Sequence, residues 1–369
     1  MIMETMHRDF EPATGAAQDA LERCQRVVDD FVVELGNLGA LVALDVKGVG
    51  RITFTSGHSD IERSRAVQRD DIFPIGSQSK TITAMVLVLL ERDGLVELDA
   101  PVHHYVDLPI DRRITVRHLL MNSCGLGEYT VGLFAARPDP RRILAPRDLV
   151  ALALPQGQIF TPGERFDYCN TGWVIAAMII EAVCGKSYGI VAGERIAAPL
   201  GLKSTGFGGT VPTGEMMRSY MSLPDEPLPV DMSCELSGGF GAGDGIASAS
   251  DILAIYRSLI DDKSPIGISL QQLIEQTAKP GPNPYVSMSI GTEYGLGVER
   301  RAWAGREVWG HPGSTGACRT STWLDPGLGV AVTTAVTAHL TQLTGDELRY
   351  PRAQLFAVAL GTAYALAAK

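Results

Sequence analysis

The chain has 369 residues, of which 45% are hydrophobic and 20% are charged, a composition typical of a globular protein with a large core. Its 42 acidic residues outnumber the 32 Lys and Arg residues, and the net charge is −10. Proteins that bind nucleic acids usually carry a basic surface patch, so we expect no nucleic-acid partner.

The amino-terminal stretch and the cysteines bear on the cellular compartment. MIMETMHRDFEP, residues 1–12, carries acidic residues where a secretory signal has basic residues and then an apolar core, and no run approaches the length of a membrane span. The six cysteines occur singly, without a C-x-x-C pair, which favours buried thiols over disulfides or zinc. We expect a cytoplasmic location without a membrane partner, and an exported form with a removed leader stays open.

Hydrophobic periodicity predicts the first elements in chain order. Residues 19–36 have apolar side chains at helical spacing and end at a glycine. Residues 38–57 contain two β-rich runs around glycines, which predicts a hairpin. The apolar run within residues 73–94 then predicts a helix that ends at Gly94.

From about residue 95 to residue 235, helical segments alternate with loops rich in Pro and Gly. Helices are predicted within residues 115–129, 145–155 and 172–202. A further helix is predicted over residues 248–260, with Ser250 as its N-cap.

The carboxy-terminal part is again rich in β-branched residues. Short runs within residues 294–336 predict strands separated by tight turns, and a final helix is predicted over about 345–367. Meandering strands with helices grouped elsewhere predict an α+β fold with an antiparallel sheet, rather than a doubly wound α/β fold.

These segments suggest a division of the chain into parts. We predict an N-terminal extension (1–16), a sheet lobe formed by residues 17–94 and 236–369, and a helical lobe (95–235) inserted between them.

The first candidate catalytic motif is FPIGSQSK, residues 73–80. Ser77 precedes Lys80 by three positions, so both side chains project from one side of the first helical turn. This spacing suits a serine nucleophile whose proton is taken by a lysine that burial keeps neutral, at a helix N-terminus that favours an oxyanion. The alternative is a structural role, in which Ser77 caps the helix and Lys80 extends to solvent.

The second motif is FDYCNTGW, residues 166–173. Tyr168 and Asn170 alternate on an extended segment ahead of a helix, so a phenol and an amide can point into one cleft. A tyrosine near a helix start is also a common packing residue, and the motif alone does not decide between these roles.

The third motif is WGHPGSTGACRTSTWL, residues 309–324. His311 stands at the end of a β-run, and Gly313 lacks a side chain, which lets a substrate approach the backbone. A competing match, residues 279–281 (Lys-Pro-Gly), lies in a segment with three prolines, which disfavour a paired strand. We therefore prefer His311.

Together, SQSK, YCN and HPG resemble the S-x-x-K, Y-x-N and K/H-x-G motifs of penicillin-recognising serine enzymes. The sequence is most similar to the branch that contains class C β-lactamases, D-alanyl-D-alanine carboxypeptidases, D-amino-acid amidases and family VIII esterases. The similarity extends over roughly residues 38–365, with supporting segments such as TPGERFDYCNTGWVIAAMIIEAVCGKSY and GAGDGIASASDILAIY. It implies a β-lactamase/transpeptidase-like fold, with the cleft between an antiparallel sheet and a helical lobe.

The resemblance also implies roles for the motif residues. Ser77 would be the acylated nucleophile, and Lys80 and Tyr168 would transfer protons, with the identity of the acylation base left open. Asn170 would hold the substrate amide and Lys80, and His311 would stand where many relatives carry lysine.

An oxyanion hole is implied by the same resemblance. It would consist of the backbone N–H groups of Ser77 and Ser314, beside Gly313. The reaction would be acyl transfer through a covalent acyl-enzyme, resolved by water or another nucleophile. We expect a small-molecule or short-peptide substrate and neither a metal nor a cofactor, and the sequence predicts no oligomeric state.

Several positions depart from the family pattern. Asn122 and Cys124 stand where relatives commonly have histidine and serine, and Cys169 replaces the commoner serine within Y-x-N. Pro312 replaces the Thr or Ser hydroxyl that binds a substrate carboxylate in many relatives, and His311 replaces lysine at the same site.

The loss of carboxylate-binding groups bears on the substrate. It favours a serine hydrolase that acts on small amides, peptides or esters, with the preference for D-residues that the resemblance implies. A β-lactamase or D-alanyl-D-alanine carboxypeptidase is the alternative, and a catalytically silent peptide-binding or scaffold protein is the alternative from another class.

Three further motifs invite other interpretations. GKSYG fits a nucleophile elbow around Ser187, but that elbow must follow a strand, and this motif follows a helical run. Residues 239–245 are rich in glycine but lack the Lys-Ser/Thr of a phosphate loop, so we expect a loop near the cleft. His103 and His104 have no third ligand at metal spacing and are expected at the surface or as caps.

Overall fold

The computed structural model describes residues 6–8, 15–34, 37–136, 143–221, 229–233, 236–279, 293–315, 318–337 and 349–368. The strands are β1 (Met6–Arg8), β2 (Gly39–Val46), β3 (Gly50–Gly57), β4 (Ile72–Pro74), β5 (Thr205–Gly206), β6 (Tyr220–Met221), β7 (Val230–Asp231), β8 (Ile246–Ser248), β9 (Glu293–Tyr294), β10 (Glu299–Trp303), β11 (Arg306–Thr315), β12 (Cys318–Asp325) and β13 (Val330–Thr337). The helices are α1 (Gly15–Glu34), α2 (Ser79–Arg92), α3 (Val116–Leu120), α4 (Tyr129–Ala136), α5 (Pro146–Ala153), α6 (Asn170–Cys184), α7 (Tyr188–Ala192), α8 (Ala249–Ser258), α9 (Leu270–Ile274) and α10 (Arg349–Ala367).

An antiparallel sheet carries the site. Among the described residues it has eight strands in the order β1-β3-β2-β13-β12-β11-β10-β9. All residues of the central strand β13 are buried, consistent with its β-branched composition and with coverage of both faces of the sheet. The predicted antiparallel α+β architecture is confirmed.

Side chains of neighbouring positions on β2 enter different cores, as strand geometry requires. Val42 and Leu44 pack with α1 and α10 in one hydrophobic cluster, which includes Leu21 and Leu360. Leu41 and Ala43 belong to a second, larger cluster with α2, α6 and α8. The sheet therefore lies between the terminal helices and the helical part of the chain.

Helix α2 lies in the middle of this larger core and is buried on nearly all sides. Its polar residues find internal partners: Thr81 Oγ1 lies 3.1 Å from the phenol oxygen of Tyr256, and Thr83 Oγ1 lies 2.8 Å from that of Tyr188. Buried polar groups must be satisfied in this way, so α2 is held at fixed depth and rotation. Lys80, in its first turn, is therefore also fixed.

The structure corrects some sequence predictions. Ser250 is not the N-cap of α8: Ser248 has extended dihedral angles and accepts a hydrogen bond from the N–H of Asp251 at 3.3 Å, because the helix begins at residue 249. Helix α1 begins at Gly15, earlier than predicted, and β1 was not predicted at all. The predicted helical residues 35–36 and 345–348 lie outside the described residues.

The boundaries proposed for the two lobes stay a prediction.

No single helix among the described residues is long and apolar enough to cross a membrane. The bent pair Asn170–Cys184 and Tyr188–Ala197 meets this criterion by length and composition only.

Candidate active site

The candidate nucleophile lies on a tight turn. Residues Gly76–Gln78 form one 3-10 turn that leads into α2, and Ser77 is half-buried at its centre. Gly76 has φ +56°, and a Cβ placed there would lie 2.4 Å from the backbone nitrogen of Ser314. Glycine is therefore required here both for the left-handed conformation and for the close approach of β11.

The amine of Lys80 is fully buried beside this turn. Its Nζ lies 3.0 Å from Ser77 Oγ, 2.7 Å from Asn170 Oδ1 and 2.7 Å from the backbone oxygen of Ala242. The two carbonyl oxygens can only accept hydrogen bonds, so they take the two N–H groups of a neutral amine. The lone pair of that amine then faces the hydroxyl of Ser77.

Burial also favours the neutral amine. It lowers the pKa of Lys80 from its ordinary value to about 7, and nearby acidic groups, with the carboxylate of Glu128 first, oppose this shift. A buried lysine with a partly exposed hydroxyl at hydrogen-bond distance is arranged to act as a base on that hydroxyl.

Tyr168 lies over the same amine. Lys80 Nζ is 4.8 Å from the centroid of the Tyr168 ring, and the phenol makes a side-chain hydrogen bond with Ser77. Burial raises the pKa of Tyr168 far above its ordinary value, while the contact with Ser77 opposes the shift. The phenol is therefore protonated near neutral pH and is available as a proton donor.

Asn170 is the first residue of α6 and links Lys80 to a carboxylate that the sequence analysis missed. The backbone N–H and Nδ2 of Asn170 donate to Glu128 Oε2 at 2.7 and 3.3 Å. Glu128 is half-buried, and its other oxygen accepts from the N–H of Thr130 at 3.1 Å. A carboxylate fixed at a helix N-terminus is electrostatically favourable, and its negative charge acts on the amine of Lys80.

His311 is only 1% exposed and does not present a cation to the cleft. Its Nδ1 lies 2.6 Å from the carbonyl oxygen of Pro312, which only accepts, so Nδ1 carries the proton and Nε2 accepts from the phenol of Tyr294 at 3.0 Å. Burial lowers the pKa of His311 to about 3, and the charge of Lys80 adds to this effect. The imidazole is neutral and lies 6.2 Å, centroid to centroid, from the ring of Tyr168.

The backbone of β11 lies directly against the nucleophile turn. A Cβ at Gly313 would lie 1.9 Å from the carbonyl oxygen of Ile75, so only glycine fits, and Ser314 is exposed beside it. Thr320 on β12 stabilises this contact through two hydrogen bonds. Its Oγ1 accepts one from Gln78 Nε2 at 2.7 Å and donates one to the backbone oxygen of Ile75 at 2.9 Å. The structure thus brings all the predicted site residues together around Ser77.

The glycine-rich segment 239–245 runs along α2 and supplies another group that sequence reasoning missed. Besides the Ala242 oxygen on Lys80, the oxygen of Gly241 accepts from Thr83 at 2.8 Å, and the N–H of Gly245 donates to Ser79 at 2.9 Å. Asp244 in this segment is buried, and backbone N–H groups, including those of Gly241 and Gly208, stabilise its carboxylate. Burial raises the pKa of Asp244 to about 7.

This geometry is accompanied by similarity to known proteins. The sequence profile of the family described as Beta-lactamase matches residues 25–356. This chain belongs to the β-lactamase family.

Curated relatives within the β-lactamase family include penicillin-binding proteins and aminopeptidases. The chain is 28% identical over 220 residues to penicillin-binding protein 4* of Bacillus subtilis (strain 168), which covers 56% of this chain and 49% of that protein. It is 27% identical over 303 residues to a D-aminopeptidase of Brucella anthropi, which covers 77% of this chain and 53% of that protein. The chain thus spans about half the length of these two relatives.

Solved structures give a more complete match. The D-amino acid amidase from Ochrobactrum anthropi SV3, complexed with L-phenylalanine, superposes with a TM-score of 0.80 at 26% identity, covering 93% of this chain and 98% of that chain. The predicted β-lactamase/transpeptidase-like fold is confirmed.

The competing motifs lie elsewhere in this member of the family. Ser187 is exposed and directly precedes α7, after the left-handed Gly185 that ends α6, so it is not on a strand-to-helix elbow. Lys279 is exposed, and residues 280–281 lie outside the described residues. Within the described part of the chain, no group of three or more His, Cys, Asp or Glu side chains could hold a metal ion, and His103 and His104 stand in a 3-10 turn.

Two of the departures from the family pattern are neighbours in space. A side-chain hydrogen bond joins the thiols of Cys124 and Cys169, and both are buried. The Cys169 thiol also lies 3.6 and 3.7 Å from the backbone oxygens of Leu126 and Gly127. These thiols therefore occupy positions where serine hydroxyls could donate the same hydrogen bonds.

Proposed function

We propose that this chain is a serine hydrolase that forms an acyl-enzyme on Ser77 and hydrolyses small amides, short peptides or esters, with D-amino-acid amides as the preferred class. One observation carries the proposal: the buried amine of Lys80 lies 3.0 Å from Ser77 Oγ, with its other contacts made to carbonyl oxygens. A hydroxyl whose neighbour is a neutral amine is activated for attack on an acyl carbon.

Lys80 is the acylation base in this proposal, and Tyr168 is the proton donor. The pKa of Lys80 is lowered to about 7 by burial, which makes its free base abundant at neutral pH. The pKa of Tyr168 is raised by burial, so its phenolate is scarce there. The two roles are supported because burial disfavours the charged form of each group: it lowers the pKa of the Lys80 ammonium and raises the pKa of the Tyr168 phenol.

The reaction begins when Ser77 Oγ attacks the acyl carbon and Lys80 Nζ accepts the hydroxyl proton. The oxygen of the tetrahedral intermediate faces the N–H groups of Ser77 and Ser314, which the contact between Gly76 and β11 brings together. The phenol of Tyr168 donates a proton to the leaving nitrogen or oxygen as its bond to carbon breaks, and Lys80 returns the proton to Tyr168. Water then attacks the ester of Ser77 by the reverse sequence, releasing the acid.

The charges around the cleft support an acyl part with a free amino group. The carboxylate of Glu128 is held at Asn170, next to the catalytic amine, and is half-buried, so an ammonium group of the substrate can pair with it. The D-aminopeptidase and the D-amino acid amidase to which this chain is similar are named for such substrates. The preference for the D form is carried over from these relatives.

The same charges argue against substrates that depend on a free carboxylate. Pro312 offers no hydroxyl, and His311 is neutral with both ring nitrogens engaged by Pro312 and Tyr294. A carboxylate entering beside β11 would lose hydration without gaining a cation from these residues. A β-lactamase or D-alanyl-D-alanine carboxypeptidase activity is therefore the less supported alternative.

The test is a comparison of matched substrates with wild type, Ser77→Ala and Glu128→Gln. We expect Ser77-dependent release of ammonia from D-phenylalanine amide, and an acyl adduct on Ser77 in intact-mass spectra with a p-nitrophenyl ester. Glu128→Gln should raise KM for the amide about tenfold, equivalent to roughly 1.4 kcal/mol. The same change should leave KM unaltered for N-acetyl-D-phenylalanine p-nitrophenyl ester, which has no amino group.

Several results would contradict the proposal in distinguishable ways. Turnover of nitrocefin in preference to the amides would favour the β-lactamase alternative. The absence of any covalent adduct on Ser77, together with peptide binding in the cleft, would favour the binding-protein alternative. An equal effect of Glu128→Gln on the amino and N-acetyl substrates would remove Glu128 from substrate recognition.

A further inference from the structure

The segment that carries Tyr168 is hydrogen-bonded to one buried residue, Asn122. The backbone oxygen of Asn122 accepts a hydrogen bond from the N–H of Asp167 at 2.7 Å, and its Oδ1 accepts one from the N–H of Cys169 at 3.2 Å. These two N–H groups flank Tyr168, and in an extended segment they point to the same side. Asn122 therefore holds the backbone immediately before and after the catalytic phenol.

Asn122 has an uncommon backbone conformation, and its side chain is held by more than one hydrogen bond. It is fully buried with φ +52°, in the left-handed region where asparagine is more tolerated than most residues. Trp173 Nε1 donates to the same Oδ1 at 2.9 Å, so two donors fix the orientation of the amide. Left-handed residues of this kind persist where the surroundings require them, and they concentrate at functional sites.

The amide nitrogen of Asn122, Nδ2, is directed towards Tyr294, whose ring packs against that of Tyr168. Asn122 Nδ2 is buried and faces the phenol of Tyr294, with which the Asn122 side chain makes a hydrogen bond. The Tyr294 ring meets the Tyr168 ring edge-on, with centroids 6.5 Å apart and an angle of 87°. Asn122 thus contacts the backbone on both sides of Tyr168 and the side chain of Tyr294, against which Tyr168 packs.

We propose that Asn122 is a positioning residue of this active site, which acts by holding the phenol of Tyr168 within reach of Ser77. The inference rests on the proposed function and deepens it, because it assigns a role to a position where relatives commonly carry histidine. Asn122 does not touch the reacting atoms, so its effect is expected in the rate of the chemical steps rather than in substrate binding.

The decisive variant is Asn122→Gly, which keeps the left-handed conformation and the bond to Asp167 but removes the Oδ1 acceptor. We expect kcat per active site, counted by fluorophosphonate labelling of Ser77, to fall about 100-fold, as for a reacting group misplaced by roughly 1 Å, with KM little changed. Asn122→Asp retains an acceptor oxygen at the same position and should recover a large part of kcat.

The matched control is Trp173→Phe, which removes the other donor to Oδ1 and leaves both bonds that flank Tyr168. We expect it to lower the melting temperature and to lower kcat per labelled site much less than Asn122→Gly does, because the N–H of Cys169 still binds Oδ1. The proposal is overturned if Asn122→Gly keeps the wild-type kcat per labelled site, or if Trp173→Phe reduces kcat as much. A wild-type chain that is never acylated on Ser77 would overturn the proposed function, and the role of Asn122 with it.

Discussion

Lys80 Nζ lies 3.0 Å from Ser77 Oγ, and two carbonyl oxygens, from the side chain of Asn170 and the backbone of Ala242, each lie 2.7 Å from the same amine. The amine is thus surrounded by acceptors on two sides and by a hydroxyl on the third. Protonation would leave a buried ammonium whose hydrogen-bond contacts among the described residues are a hydroxyl and two carbonyl oxygens rather than a carboxylate, a costly arrangement that burial disfavours. The neutral amine is the form that suits these neighbours.

The first prediction concerns the pH dependence of acylation. Because burial lowers the pKa of Lys80 to about 7, kcat/KM should be low at acidic pH, rise as Lys80 loses its proton, and level off above that pKa. Stopped-flow release of p-nitrophenol from an ester without an amino group measures this limb, since the substrate itself does not titrate. A profile that stays flat between pH 5 and pH 9 would be inconsistent with Lys80 as the base.

Substitutions of Lys80 provide a second prediction. Lys80→Met removes the base and should lower kcat/KM by about 10² to 10⁴, the usual contribution of general base catalysis. Lys80→Arg should be no more active, because a guanidinium keeps its proton at every working pH. Lys263→Met, at an exposed lysine, is the control and should match wild type.

Asp244 provides a test of how the site sets the pKa of Lys80. Its buried carboxylate raises the pKa of that lysine when ionised, although burial of Lys80 is the larger and opposite effect. Asp244→Asn should therefore move the rising limb of kcat/KM to lower pH. Glu299→Gln is the control: Glu299 is equally buried but pairs with Arg301 at 2.7 Å, and it should leave the limb in place. A limb that moves to higher pH in Asp244→Asn would contradict this account.

Substitution of Gly76 tests how much the steric clash with β11 costs in addition to the strain of a left-handed alanine. Gly76→Ala introduces a Cβ at 2.4 Å from Ser314 N as well as a left-handed alanine, so we expect loss of both folding stability and acylation. Gly94→Ala is the matched control, because Gly94 has φ +73° but open space around it. Chemical denaturation should show a cost of about 1 to 2 kcal/mol for Gly94→Ala, and a larger one for Gly76→Ala.

The local parts of this site are those that the sequence could predict. Ser77 and Lys80 are three residues apart on one turn, and Tyr168 and Asn170 are two apart on one extended segment, so spacing alone indicates which side chains can meet. The antiparallel pairs β2–β3 and β10 to β13 were likewise predictable, because these strands follow one another along the chain with short turns. The pairing of β13 with β2, by contrast, joins distant segments.

The remaining parts depend on contacts between distant segments. The oxygen of Ala242 is a backbone group without a signature in the sequence, and its contact with Lys80 joins residues 162 positions apart. The neutral tautomer of His311 depends on Tyr294 from β9, which lies two strands away from β11 in the sheet. Glu128 lies within the segment 115–129 that was predicted as helical, and its role only follows once α6 places Asn170 against it. The prediction of Ser250 as the cap was wrong because two serines, Ser248 and Ser250, stand at the start of α8, and the sequence does not show which of them has the extended dihedral angles of an N-cap.

Thr320 is the final test, because its hydroxyl joins the nucleophile turn to the sheet. Thr320→Val removes the bonds to Gln78 and to the Ile75 oxygen, so kcat/KM should fall by up to about 10², approaching the loss of one oxyanion-hole donor. Thr320→Ser should restore it. Thr322→Val is the control two residues along β12: its hydroxyl pairs with Thr333 at 2.8 Å, away from the turn, so it should lose about 1 kcal/mol of stability but keep kcat/KM. Equal kinetic losses in Thr320→Val and Thr322→Val would show that the effect is only one of stability.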